Sequence, residues 1–288
     1  MDAVLERWSE RATRYWPAPV PEAVRYSVLS AGKRLRPTLV FAACDALGGD
    51  GAAPGIAELA AAVEVVHAYS LVHDDLPCMD NDDLRRGRPT VHRAFDVRAA
   101  TSAGFHMVGL AARVLDSGLE SLRTGPARRR AIALELFRAA GAGGMIGGQV
   151  LDLEAEGRAI SIDALREVHQ RKTGALIAAA CVIGALAAGD EGPAEHLAAL
   201  RAYGEAIGLA FQIADDVLDA TATSAQLGKT AGRDAALAKS TFVSVLGVGA
   251  ARAEAERLAA QAVDRLRQAA LVSPTLIALA HYIVTRTN

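Results

Sequence analysis

The sequence predicts an all-α fold, and three observations carry that prediction. Alanine and leucine, both strong helix formers, fill most of the segments between breaks. The Val, Thr and aromatic alternation that marks half-buried strands is missing. Glycine, proline and short polar clusters cut the chain into pieces of helix length. With 288 residues, 51% of them hydrophobic, one large core suffices, and a single domain over 1–288 with roughly ten or more helices is expected.

The breaks define the elements in order. The N-terminal segment has mixed charge and no signal-type apolar stretch, and it ends at Pro17-Ala18-Pro19-Val20-Pro21. Gly48-Gly49-Asp50-Gly51 with Pro54-Gly55 opens a long apolar piece running to Asp74, and Pro77 must break or kink that helix. Gly125-Pro126 makes the next break. Gly157 to Ser161 follows, with Ser161 as the expected N-cap of a helix. The polar-free run Ala175 to Gly189 is shorter than the ~20 residues of a membrane span and reads as a buried core helix. Gly189 to Pro193, Thr221 to Gly232 and Ser273-Pro274 supply the last breaks. Helices apolar on more than one face, such as Leu176 to Ala188 and Glu205 to Ala214, belong at the centre of a bundle. Their small residues Gly204, Ala206, Gly208 and Ala210 permit close packing, or leave an elongated cavity open.

A net charge of -2 argues against nucleic acid as a partner. Three widely spaced cysteines, Cys44, Cys78 and Cys181, argue against a disulfide framework or thiolate zinc site and fit a reducing cytoplasm.

Two acid clusters of one design direct the functional reading. The first is His73-Asp74-Asp75-Leu76-Pro77-Cys78-Met79-Asp80, followed by Asn81-Asp82-Asp83-Leu84-Arg85-Arg86-Gly87. The second is Gln212-Ile213-Ala214-Asp215-Asp216-Val217-Leu218-Asp219, where three- and four-residue spacing puts Gln212, Asp215, Asp216 and Asp219 on one polar stripe. Carboxylates in apolar helices are expensive unless a cation offsets them. Those of the second cluster also lie near the negative end of their helix. Oxygen ligands without companion Cys or His suit Mg²⁺, or Mn²⁺, and magnesium completes its shell with water and substrate phosphates. A diphosphate bridged between the clusters is therefore expected. Basic residues repeat the message: Lys33, Arg34 and Arg36, then Arg85-Arg86, Lys172, Lys229 and Lys239 are natural phosphate partners.

Together these residues resemble the trans-isoprenyl diphosphate synthases, most closely the bacterial farnesyl diphosphate synthases. The similarity runs from about Val24 to Ile283. It rests on Gly32-Lys33-Arg34-Leu35-Arg36-Pro37, the first aspartate region with Arg85-Arg86-Gly87, Gly147-Gly148-Gln149 with Asp152, Lys172-Thr173-Gly174, and Phe211-Gln212 with the second aspartate region. Leu227-Gly228-Lys229-Thr230, Asp234 and Lys239-Ser240-Thr241 follow in the same order.

The resemblance implies an isoprenoid synthase fold, with helices around an apolar cavity and both aspartate regions at its mouth. It implies a homodimer and head-to-tail condensation of isopentenyl diphosphate with an allylic diphosphate. Asp74, Asp75, Asp80, Asp215, Asp216 and Asp219 would hold magnesium, three ions in the family's pattern, on the allylic diphosphate. Arg85, Lys172 and Lys239 would grip that diphosphate and Lys229 would close over it. Lys33, Arg36, His67 and Arg86 would hold isopentenyl diphosphate, and Thr173 and Gln212 would face the carbocation and the site of proton loss. Released diphosphate can take the proton, so no dedicated base is needed.

Tyr69 and Ser70, five and four residues before Asp74, sit about one turn below the metal site. In the family, bulk there stops elongation, and an aromatic such as Tyr69 implies a fifteen-carbon product over geranyl or geranylgeranyl diphosphate. Relatives usually carry Gly-Asp where this chain reads Gly104-Phe105, and Phe105 is expected to add bulk inside a packed helix. A class I terpene cyclase would not need the isopentenyl site, and a non-catalytic partner subunit would have lost an aspartate region; neither loss is present.

Overall fold

The computed structural model describes residues 1–189, 194–221 and 239–286. Fourteen α-helices are present among them, and proline or a short polar side chain starts most of the long ones. Helix α1 (Asp2–Thr13) leads to α2 (Val20–Val28), α3 (Leu35–Ala46) and the long α4 (Pro54–Asp74), which opens on Pro54. A four-residue α5 (Val91–Ala94) precedes α6 (Val97–Ser121), whose N-cap Asp96 accepts the Ala99 N–H at 2.7 Å. Helix α7 (Pro126–Ala140) is followed by α8 (Met145–Glu154) and α9 (Ile162–His169). Ser161 caps α9 by accepting the Ala164 N–H, as its sequence position predicts. One turn of π-helix, Gln170–Gly174, runs on into α10 (Ala175–Ala187). Helix α11 (Ala194–Thr221), α12 (Phe242–Leu246), α13 (Val248–Gln268) and α14 (Pro274–Thr285) complete the order.

Helix α10 is the axis of the bundle. Every residue from Leu176 to Leu186 is buried, and α3, α4, α7 and α11 pack around it. On its other sides α4 lies along α6, and α11 along α13. Close packing is what the glycines of α11 provide. A Cβ on Gly204 would come within 2.5 Å of Ala178 Cα, and one on Gly208 within 2.7 Å of Gly174 Cα. Helix α4 is long and apolar enough to cross a membrane by length and composition, yet 72% of its most apolar stretch is buried inside the bundle.

The all-α expectation misses one small element. Leu84–Arg85 (β1) pairs antiparallel with Arg88–Pro89 (β2). The two-residue turn places Arg86 (φ 56°) and Gly87 (φ 74°) in the left-handed region, the backbone pattern that matches the twist of a tight hairpin. Two residues per strand are too short to leave an alternation in the sequence.

Candidate active site

Helix α4 ends at Asp74, and the turn through Pro77 folds back on it. The Asp80 N–H donates to the Asp74 carbonyl at 2.8 Å, and the Asn81 N–H donates to the Leu76 carbonyl at 3.0 Å. Asp80 thus returns beside Asp74, as the sequence suggested. Burial pushes the Asp74 carboxyl up to about 6; Lys172 opposes that shift, and Asp80 and Asp75 add to it. Asp75 is buried and holds Arg85, whose Nε and Nη2 both donate to Asp75 Oδ1, at 3.1 and 2.5 Å. Arg85 also reaches Asp82 Oδ2 at 2.8 Å. The β1–β2 hairpin is what delivers Arg85 to that carboxylate.

Lys172 and Lys239 arrive from two other elements and share one acid. Lys172 lies in the π-helical turn, a local widening that often marks functional sites. Its Nζ is 2.7 Å from Asp152 Oδ2 on α8, while Lys239 Nζ lies 3.3 Å from the same oxygen and 3.2 Å from Asp80 Oδ1. Burial alone would raise the Asp152 carboxyl, but the two lysines bring it below the usual carboxylate range. The approach of α8 depends on Gly148, since a Cβ there would sit 2.1 Å from the Lys172 backbone nitrogen.

The second acid cluster sits on α11, and its members have different surroundings. Asp215 is partly exposed (side chain 37%) and pairs with Arg286 Nη2 at 2.5 Å. Asp216 is buried. Its Oδ2 accepts the Phe242 N–H at 2.9 Å and lies 3.6 Å from His169 Nε2, and its Oδ1 is 3.4 Å from Gln212 Nε2. Asp219 is also buried. Gln212 Oε1 in turn accepts the Thr173 hydroxyl at 3.0 Å. The segment 239–242 ties the clusters together: Lys239 touches Asp80 of the first, and the Phe242 N–H touches Asp216 of the second. The two acidic regions therefore share one site rather than occupying opposite surfaces.

Beside them lies a group of cations crowded together. Burial, then the Arg286 charge, lowers the Lys33 ammonium. Burial also brings Arg36 down to about 10 and drives His67 well below its ordinary value, with Arg86 pressing on both. Arg36 Nε is buried with no hydrogen-bond partner among the described residues. Arg86 donates to Ser30 Oγ at 3.1 Å. Arg34, between Lys33 and Arg36, faces the frame instead: it pairs with buried Glu64 at 2.7 Å and donates to the Val28 and Ser30 carbonyls. Closely spaced, largely buried cations, with the Arg36 Nε–H unpartnered among the described residues, make a site suited to an anion, and a diphosphate is the chemistry that fits.

The donor set also fits magnesium. Asp74 and Asp80 stand together with a carboxyl held above its usual range, and Asp215 already holds a cation in the form of Arg286. No group of three His, Cys, Asp or Glu side chains converges into a complete cage among the described residues. Open coordination completed by water and phosphate oxygens is the habit of magnesium. Lys229, assigned to close over the diphosphate, lies outside the described residues.

Tyr69 is partly buried one turn below Asp74, and the aspartate charge joins burial in raising its phenol. Ser70 is buried and donates to the His67 carbonyl at 2.9 Å. Phe105 departs from expectation. It is 68% exposed on the outer side of α6 and adds no bulk to the core, because the inner side of that turn is taken by Ala103, Gly104 and Met107.

Three contributors had no role assigned from sequence. Asp152 was visible only as part of a motif, and its partners come from elements 20 and 87 residues away. Gln149, one turn before it, is buried with neither amide atom partnered among the described residues. Arg286 meets Asp215 across 71 residues of chain, a pairing that no local motif displays.

Comparison with known proteins agrees with this geometry. The sequence model of the polyprenyl synthetase family matches residues 17–274. Farnesyl diphosphate synthase of Escherichia coli (strain K12) is 46% identical over 273 residues, covering 94% of this chain and 90% of that protein. The large subunit 1 of a heterodimeric geranylgeranyl pyrophosphate synthase from Arabidopsis thaliana is 42% identical over 277 residues, covering 94% and 73%. A Helicobacter pylori geranyltransferase, solved in complex with magnesium and isoprenyl diphosphate, superposes with a TM-score of 0.78 at 30% identity, covering 98% of this chain and 94% of that one. With its all-α fold and paired acid clusters, the chain belongs to the polyprenyl synthetase family and is a prenyltransferase of isoprenoid biosynthesis.

Proposed function

We propose that the chain condenses isopentenyl diphosphate with dimethylallyl or geranyl diphosphate to give farnesyl diphosphate. The observation that carries the product length is Tyr69, an aromatic side chain half-buried one turn beneath Asp74. The 46% identity to a farnesyl diphosphate synthase supports it. A twenty-carbon product is the second reading, favoured by the 42% identity to a geranylgeranyl synthase subunit.

The residues divide the work by charge. Lys33, Arg36, His67 and Arg86 bind the isopentenyl diphosphate, whose charge offsets the repulsion among these crowded, largely buried cations. Lys172, Lys239 and Arg85 hold the allylic diphosphate, with Asp152 orienting both lysines and Lys229 completing the set. Asp74, Asp80 and Asp215 are best placed to hold magnesium, with three ions or manganese in its place as the fuller pattern. Bound there, it neutralises the charge that develops on the leaving diphosphate. Asp75 is committed to Arg85, and Asp216 to Phe242, which makes both positioning groups as well as members of the acidic field. The Thr173 hydroxyl proton is spent on Gln212, so Thr173 offers its oxygen lone pairs to the allylic cation. The apolar wall keeps water from that cation. The proton lost from the condensed product leaves with diphosphate.

We also propose that two copies pair through the exposed apolar side chains Leu134 and Phe137 of α7 and Ile146 and Val150 of α8. Light scattering should report a dimer for the native chain and a smaller mass for Phe137→Glu. Incubation with radiolabelled isopentenyl diphosphate and each allylic starter, followed by chromatography of the dephosphorylated products, tests the main reading. Farnesol as the chief product supports it; geranylgeraniol would select the second reading, and no label uptake would refute both.

A further inference from the structure

Phe105 lies on the solvent side of α6, yet its ring is not isolated. It meets the His73 imidazole edge to face, with centroids 5.4 Å apart and planes at 88°. His73 meets Tyr69 in the same way, at 5.1 Å and 71°. The imidazole, itself partly exposed, is also held on its α6 side. Its Nε2 lies 3.2 Å from the Thr101 carbonyl, and it rests on Gly104, where a Cβ would come within 2.0 Å of Nε2. Thr101, Gly104 and Phe105 thus form a slot on α6 that receives one side chain of α4. Of its walls, only Phe105 is a side chain free to change without disturbing the backbone.

We propose that Phe105 is a product-length positioning residue, holding Tyr69 in place through His73. A side chain that blocks a growing apolar chain must resist displacement, and a half-buried phenol on one helix turn has room to swing. The His73 ring occupies the space one turn further along α4, and Phe105 keeps the His73 ring pressed onto Gly104. Loss of the Phe105 ring frees His73 to rotate outward, and Tyr69 then follows it away from the cavity. The inference rests on Tyr69 as the floor of that cavity, and its test separates the two.

The measurement is the ratio of twenty- to fifteen-carbon product for Tyr69→Ala, Phe105→Ala, Phe105→Tyr and the Tyr69→Ala/Phe105→Ala double variant. Phe105→Ala should raise the ratio by about two- to tenfold, the scale of one aromatic edge contact, with melting temperature and total turnover close to native. Phe105→Tyr, which keeps the ring, should restore the native ratio, and the double variant should match Tyr69→Ala alone. If Tyr69→Ala lengthens the product while Phe105→Ala does not, the relay is wrong and the floor stands. If Tyr69→Ala leaves product length unchanged, the floor itself is misplaced and the relay falls with it. Additive effects in the double variant would also overturn the relay, since they would mean that Phe105 acts by another route. Phe105→Leu, which preserves surface hydrophobicity, serves if Phe105→Ala does not fold, and the same increase is expected of it.

Discussion

The guanidinium of Arg286 lies against Asp215, 71 residues earlier in the chain, at 2.5 Å, with its side chain only 3% exposed. It is clamped from three further directions: the Phe211 carbonyl at 3.2 Å, the Ile283 carbonyl at 3.1 Å and the face of the Phe211 ring 4.1 Å away. The end of the described chain thus supplies the cation in direct contact with Asp215, whose charge also reaches Lys33 and Arg36. Because a bound divalent ion and Arg286 compete for one carboxylate, Arg286→Ala should bind magnesium roughly three- to tenfold more tightly in the absence of substrate. Titration calorimetry measures that directly. The same variant should lose about 1–2 kcal/mol of stability through the missing hydrogen bonds and cation–π contact. Weaker magnesium binding in Arg286→Ala would mean that the pair organises Asp215 instead of screening it.

Asp74 gives a pH dependence whose sign is fixed. Its carboxyl is raised to about 6 from 3.8, so the folded chain resists its ionisation. The protonated form is no burden below about pH 4; stability is lost as pH rises from about 4 to about 6, and the loss is complete above that. Asp74→Asn should therefore stabilise the metal-free protein at pH 7.5, by about 1–3 kcal/mol, and flatten this part of the pH profile. Its turnover should fall by about a thousandfold or more. Melting curves at pH 4.5 and 7.5 for the two proteins decide it; equal stability at pH 7.5 would place the carboxylate in a better-solvated setting than the structure gives it.

Asp152 tests whether orientation, rather than charge alone, makes the diphosphate grip. Removing it leaves Lys172 and Lys239 without the oxygen they share. Asp152→Asn keeps the size and one acceptor, and should lower kcat by about tenfold, whereas Asp152→Ala should cost on the order of a hundredfold. Both should raise KM for the allylic substrate more than for isopentenyl diphosphate, whose cations lie elsewhere. Equal KM changes for the two substrates would argue against the assignment.

How much of this was legible follows from where each signal resides. The break at Pro77 and the return of Asp80, the cap at Ser161 and the buried run of α10 are local, and local chemistry is what a sequence displays. The division of the second acid cluster was not visible. Asp215, Asp216 and Asp219 share one stripe by spacing, but the partners of Asp215 and Asp216 come from α9, α12 and the residue that follows α14, so periodicity could not separate the carboxylate facing Arg286 from the one fixed on Phe242. The π-helical turn was hidden for a related reason, since one extra residue in a helix leaves no compositional trace. The small, apolar neighbours of Phe105 point to a packed position, but the helix turns it outward, and only the packing of Ala103 and Met107 shows which side faces in.

Gly148 links that hidden turn to the grip. With α8 and the π-helical turn so close that a Cβ would stand 2.1 Å from the Lys172 nitrogen and 2.6 Å from its Cα, backbone meets backbone and no flexible side chain can yield. Gly148→Ala must therefore push the two elements apart, at about 1–3 kcal/mol of overpacking. Asp152, one turn along the same helix, moves with it. The expected result is a folded enzyme of lower melting temperature whose KM for the allylic diphosphate rises while that for isopentenyl diphosphate stays near native. Denaturant melts paired with two-substrate kinetics distinguish this from general destabilisation, in which both KM values would stay the same and only the active fraction would fall. An Ala variant with native stability and native kinetics would show that the contact between α8 and Lys172 is looser than the structure places it.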